Sequence, residues 1–112
     1  MILKQVRWVG DSHERISAFP DDPRREAGYQ LGRVQAGKEP ADWKPMPSVG
    51  LGVNEIRVRE DSGAFRVIYV AKFEEAVYVL HAFQKKAQKT PKQDIDLARQ
   101  RFRDLVKERK QR

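Results

Sequence analysis

Apolar residues recur along the chain with two periods, and the switches between them divide it into elements. Leu3 to Val9 (Leu-Lys-Gln-Val-Arg-Trp-Val) reads as a first strand that Gly10 ends. Asp11 with Glu14 three residues on resembles a capping box, and a short helix running to Phe19 turns Ile16 and Phe19 inward. Pro20 stops it. Asp21 and Asp22 before Pro23 give an acidic cap ahead of a first-turn proline, and Ala27, Leu31 and Val34 mark one face of a second helix that Gly37 terminates. The two helices are expected to form a hairpin.

Pro40, Pro45 and Pro47 around Trp43 rule out a regular element over 38–49, leaving an ordered connection with Trp43 as its packing anchor. From Leu51 to Glu60 the period becomes two. Ile56 and Val58 point one way, and Glu55, Arg57 and Arg59 the other. Asp61-Ser62-Gly63 is a turn, Phe65 to Phe73 a further strand, and Glu74-Glu75 leads into Ala76 to Phe83, which is apolar enough to be covered on both faces. These three strands predict an antiparallel meander. Thr90 reads as an N-cap with Pro91 at the first helical position and Gln93 at the third. The helix from Pro91 to about Arg109 then carries Ile95, Ala98, Phe102, Leu105 and Val106 on one stripe.

Composition changes this picture in three ways. The 112 residues suit one α+β domain, 1–112, with a modest core. The absence of cysteine removes disulfides and thiolate chemistry and suits a reducing cytoplasm. No apolar run is long enough to span a bilayer, and Lys4 and Arg7 interrupt any signal-peptide core, so no membrane association is expected. The net charge of +7 falls entirely in 85–112, where 11 Lys/Arg face 4 Asp/Glu. Such a segment suits a phosphate backbone or an acidic protein surface.

No serine-histidine-acid arrangement, glycine-rich phosphate loop or carboxylate cluster is visible, so neither a metal nor another cofactor is expected. His13 and His81 stand isolated. Strand alternation gives His81 the same side as Phe83 and makes it a core member. A site built from cations remains: Arg57 and Arg59 on one strand, Arg66 on the next, and Lys85, Lys86 and Lys89 after the last could converge if the strands are neighbours. Cleavage of RNA by its own 2′-hydroxyl needs only a base, an acid and positive charge on the phosphorane, and a lysine crowded by cations can serve as the base. Arg57 and Arg59 paired with Glu55, Glu60 or Glu74 is the purely structural alternative.

Asn54-Glu55-Ile56-Arg57, Phe65-Arg66-Val67-Ile68-Tyr69 and the run from His81 through Phe83-Gln84-Lys85-Lys86-Ala87-Gln88-Lys89-Thr90-Pro91 resemble the phage Gp49-like, HigB-type branch of the RelE/ParE toxin superfamily. The resemblance implies a RelE-like α+β fold: N-terminal strand, helical hairpin, meander of three further strands and C-terminal helix. It further implies the toxin of a type II toxin-antitoxin system that cuts messenger RNA in the ribosomal A site without metal. By position, Arg57 and Arg66 correspond to strand cations on the scissile phosphate, and Lys85 or Lys86 to the basic residue beyond the last strand; Arg59, Lys89, Lys92 and Arg99 would contact RNA. The implied partners are the ribosome with its message and a cognate antitoxin, commonly a helix-turn-helix protein of the HigA type, in a heteromeric complex in the cytoplasm. The C-terminal tyrosine of RelE-type members has no counterpart, since no tyrosine follows Tyr78.

Two other classes fit parts of the pattern. ParE-like relatives poison DNA gyrase by binding alone, but the lysine-rich junction argues against that branch. A non-catalytic nucleic-acid-binding module needs only the basic tail, yet the aromatics fall mostly on apolar faces rather than between the cations.

Overall fold

The computed structural model describes residues 3–86 and 88–111. Alternation of small turns with apolar runs yields β1 (Gln5–Trp8), α1 (Ser12–Ser17), α2 (Asp21–Gln35), β2 (Trp43–Pro45), β3 (Val53–Glu60), β4 (Gly63–Val70), β5 (Ala76–Lys85) and α3 (Lys92–Lys110). The five strands make one sheet in the order β1-β5-β4-β3-β2. β2 through β5 pair antiparallel with their neighbours, and β1 lies parallel to the first half of β5, so the sheet is mixed. This α+β arrangement is compatible with a RelE-like fold.

Both faces of the sheet are covered, which explains the near-continuous apolar run in β5. On one face Ile16, Phe19, Ala27, Leu31 and Val34 pack on Ile56, Val58, Phe65, Val67, Val77 and Val79. On the other, Ala98 and Leu105 of α3, with Ile95 and Phe102 beside them, pack on Val53, Ile68, Val70, Tyr78, Leu80 and Phe83. Opposite Ile68 and Tyr69, β5 carries an extra residue: Ile68 pairs with His81 but Tyr69 with Val79, leaving Leu80 unmatched. The bulge resets the alternation so that Leu80 and His81 both face α3, and Phe83 and Lys85 follow.

Several local expectations are corrected. The stretch over 38–49 does hold a regular element, because an edge strand tolerates Pro45 at its end, and β2 brings Lys44 opposite Glu55. Thr90 does not cap α3: Pro91 occupies the cap position, and the Thr90 hydroxyl donates to Glu55 Oε2 at 3.3 Å. Asp11 precedes α1 without a side-chain cap bond, since its carboxylate is taken by Arg15 Nε at 2.9 Å and Arg101 Nη2 at 2.7 Å. α2 begins at Asp21, two residues earlier than a cap at Asp22 requires, and places both acids where the helix dipole favours them. β1 is shorter than Leu3–Val9, β4 ends at Val70 rather than Phe73, and β5 extends through Lys85, which therefore belongs to a strand.

Arg101 fastens α3 to the N-terminal half by gripping Asp11 and the Leu80 carbonyl, 2.8 Å away. Gly10 makes room for it: its φ is +56°, and a Cβ there would lie 2.6 Å from the Arg101 guanidinium carbon. Gly10→Ala is therefore expected to lower stability by about 2 kcal/mol, read from the urea midpoint. Hydrogen bonds from Arg15 and then Arg101 hold the Asp11 carboxyl at about 2 instead of 3.8. A carboxylate depressed by folding stabilises above its unfolded value and loses that contribution as pH falls through the folded one. Asp11→Asn should accordingly be less stable than the parent at neutral pH, with the gap closing as pH falls from 3.8 to about 2, as thermal melts across that range would show.

Candidate functional site

Strand register alone collects the cations. Paired residues on neighbouring strands share a face, so each crossing of the sheet is a row of side chains. One row runs Lys44, Glu55, Ile68, His81; the next runs Arg57, Arg66, Phe83; the third runs Arg59, Ala64, Lys85. All three lie on the α3 face, because Ile68 and Phe83 belong to the core beneath that helix. The third row lies past the last core residues on that face, so Arg59 and Lys85 border an open cleft of about 420 Å³ lined also by Glu60, Gly63, Arg66 and Gln88.

At the centre sits Glu55, fully buried. Its Oε1 lies 3.6 Å from Arg66 Nε and 3.8 Å from Arg57 Nε. Arg66 is only 2% exposed and donates through Nη1 to the Phe65 carbonyl at 3.0 Å. Two guanidinium groups directly opposite each other on adjacent strands repel, and the carboxylate between them is what makes the pairing tolerable. The match is incomplete. Glu55 Oε1, Arg57 Nε and Arg66 Nε are buried and, among the described residues, have no hydrogen-bond partner. Buried polar atoms are hydrogen-bonded in nearly all native proteins, whereas here the two Nε atoms and Oε1 are held beside one another by charge alone, at 3.6 and 3.8 Å.

The electrostatics follow from the crowding. Burial lowers the Arg66 pKa, Glu55 opposes the shift, and Arg57 and Arg59 deepen it. Lys85 is also lowered, by desolvation first and then by Arg66, with Glu55 opposing and Lys44 and Arg57 adding. Nearby, His81 is fully buried, stacks on Phe83 with ring centroids 5.3 Å apart, and holds Asp94 Oδ1 at 2.7 Å through Nε2. Desolvation lowers its pKa against the pull of Asp94, which favours a neutral ring that ties the first turn of α3 to β5. Among the described residues no three His, Asp or Glu side chains gather in a way that could hold a metal ion.

Arg57, Arg59, Arg66 and Lys85, singled out from the sequence, thus share one surface. The other basic residues do not join them. Lys86 points away from the cluster into a second cleft beside Phe19 and Gln84. Lys92 is 91% exposed and pairs with Asp96 at 3.7 Å, while Arg99 donates to the Ser48 carbonyl at 2.8 Å. Lys89 is exposed on the connection to α3, and Ala87 of the same run lies outside the described residues. Sequence reasoning underrated Glu55, treated only as an ion-pair partner, and passed over Lys44. The signal for Glu55 was present: alternation already placed it on the face of Arg57 and Arg59.

A small α+β protein with cations fanned over one end of its sheet is the class to which RelE-like toxins belong. The model of the family described as phage derived protein Gp49-like (DUF891) matches residues 14–103, and the chain belongs to that family of RelE-like toxins. The family is associated with toxin-antitoxin systems, which implies an antitoxin as partner. Comparison with curated proteins returns no match. No helix among the described residues is long and apolar enough to cross a membrane.

Removing the central carboxylate leaves the buried Arg66 facing the half-buried Arg57 with no charge between them. Glu55→Gln is expected to destabilise the fold by about 3 kcal/mol, measured by urea unfolding, and Glu55→Gln with Arg66→Met to recover most of the loss.

Proposed function

We propose that the chain is a metal-independent endoribonuclease that cuts messenger RNA on translating ribosomes in the cytoplasm, acting as one toxin domain and held in check by an antitoxin of the helix-turn-helix kind. The observation that carries the reading is the register that gathers Arg57, Arg66 and Lys85 around the buried Glu55 on one face of the sheet, beside a cleft bordered by Arg66 and Lys85. Phosphoryl oxygens are the acceptors that two guanidinium groups and a lysine would take there.

In this reading Arg57 and Arg66 hold the scissile phosphate, and charge that develops on the phosphorane is stabilised by dipoles and cations already fixed in place. Glu55 is a positioning residue: buried and covered by Thr90, it aligns the arginines rather than meeting substrate. Lys85, whose lowered pKa increases its share of free amine, takes the proton from the 2′-hydroxyl as that oxygen attacks phosphorus. The resulting ammonium returns the proton to the departing 5′ oxygen, leaving a 2′,3′-cyclic phosphate and a 5′-hydroxyl. Arg59 and the exposed lysines beyond β5 give the RNA strand a basic approach, and the +7 charge adds long-range attraction.

Lys85→Ala is expected to lower the cleavage rate by about a hundredfold and Arg57→Ala by a comparable factor, with circular dichroism unchanged, in primer extension on purified translating ribosomes. Because the amine is the active form, the rate should rise with pH and level off below the ordinary lysine value of 10.5, and that limb should vanish in Lys85→Ala. Full activity in both folded variants removes the assignment. Gyrase-linked DNA breaks with messages left whole would move the protein to the other branch of the superfamily.

A further inference from the structure

The cleft that receives Lys86 has a feature the proposed reaction does not use. Ala82 and Phe83 both line it, yet they belong to opposite cores of the sheet. Consecutive strand residues point to opposite faces, so a cleft bordered by both must face the edge of the strand, where the main chain lies. The topology agrees. β1 accompanies β5 only from Gln5 opposite Ala76 to Trp8 opposite Val79, and beyond that point β5 continues to Lys85 with a strand partner, β4, on one side alone. Arg101 caps the Leu80 carbonyl. Past it, no hydrogen bond from α1 or α3 reaches the main chain of 82–84 among the described residues.

The cleft, about 350 Å³, therefore occupies the position that a prolonged β1 would fill, with Phe19 and Pro20 as its outer wall. We infer that it is a docking groove for an extended, acidic segment of the antitoxin, which adds a short strand to the free half-edge of β5. Main-chain pairing supplies affinity in this mode, and side-chain pockets supply choice. The occupant's charge follows from the rim: Lys86 and Arg15 are the cations, Arg15 being shared with Asp11, and Asp94, the acid at the cleft, is already held by His81. A strand in this groove ends beside Lys86, next in sequence to the Lys85 that the proposed nuclease needs. The inference rests on the family's antitoxin and is independent of whether the cations cut RNA.

The test is hydrogen exchange on the toxin alone and on the complex with its antitoxin, co-expressed and co-purified. Amides in 82–84 that point away from β4 should exchange at least about tenfold more slowly in the complex, and Lys86→Glu, at an exposed rim residue, should weaken antitoxin affinity by about tenfold. Unchanged exchange at 82–84, with protection confined to other surfaces, overturns the proposal. So does protection of those amides by an uncleavable 2′-O-methyl oligoribonucleotide and not by the antitoxin, which would give the groove to RNA. A toxin that cleaves nothing yet shows the expected protection keeps this inference and discards the nuclease reading.

Discussion

The Glu55 carboxylate lies between two arginines on adjacent strands, and the arrangement of the sheet's open end depends on it. Without it, the register that sets Arg57 opposite Arg66 would leave a buried positive charge against a half-buried one, at a cost of several kcal/mol. With it, the pairing is tolerable but not satisfied, because one carboxylate oxygen at 3.6 and 3.8 Å does not complete the hydrogen bonding of two guanidinium nitrogens. The fold thus holds a charge cluster whose Nε and Oε1 atoms make no hydrogen bond among the described residues, offset by the apolar packing on both faces of the sheet. Such local conflict is common where a protein binds something.

The surrounding structure holds the cluster in place. The bulge at Leu80 turns His81, Phe83 and Lys85 toward α3, and the His81–Asp94 contact fixes where that helix starts. Thr90, drawn to Glu55 instead of capping its own helix, covers the second carboxylate oxygen. At the far end, Arg109 binds Glu75 at 2.7 Å and lies 3.8 Å above the Phe73 ring, anchoring the helix against β5. α3 is thereby held at both ends, and its placement leaves the Arg59 and Lys85 row uncovered.

Much of the fold was legible because it depends on period. The two-residue alternation in β3 placed Arg57 and Arg59 on one face, and the 3.6-residue stripe in α3 picked out Ala98 and Leu105 as core. What escaped were choices made between distant residues. Thr90 and Asp11 have the sequence signatures of caps, but each found a charged partner across the molecule that outcompeted its local backbone. β2 was hidden by its prolines, and with it Lys44. The separate destinations of Lys85 and Lys86 follow from where β5 ends, a boundary that sequence reading places only to within a few residues.

The central claim is that the arginines aligned by Glu55 receive phosphate. It is tested most directly by titrating the protein with an uncleavable 2′-O-methyl oligoribonucleotide while following the arginine Nε–H signals by NMR. The Arg57 and Arg66 resonances should move together, saturably, and ahead of those of Arg99 and Arg103 on α3. Shifts confined to α3, with Arg57 and Arg66 unmoved, would contradict it.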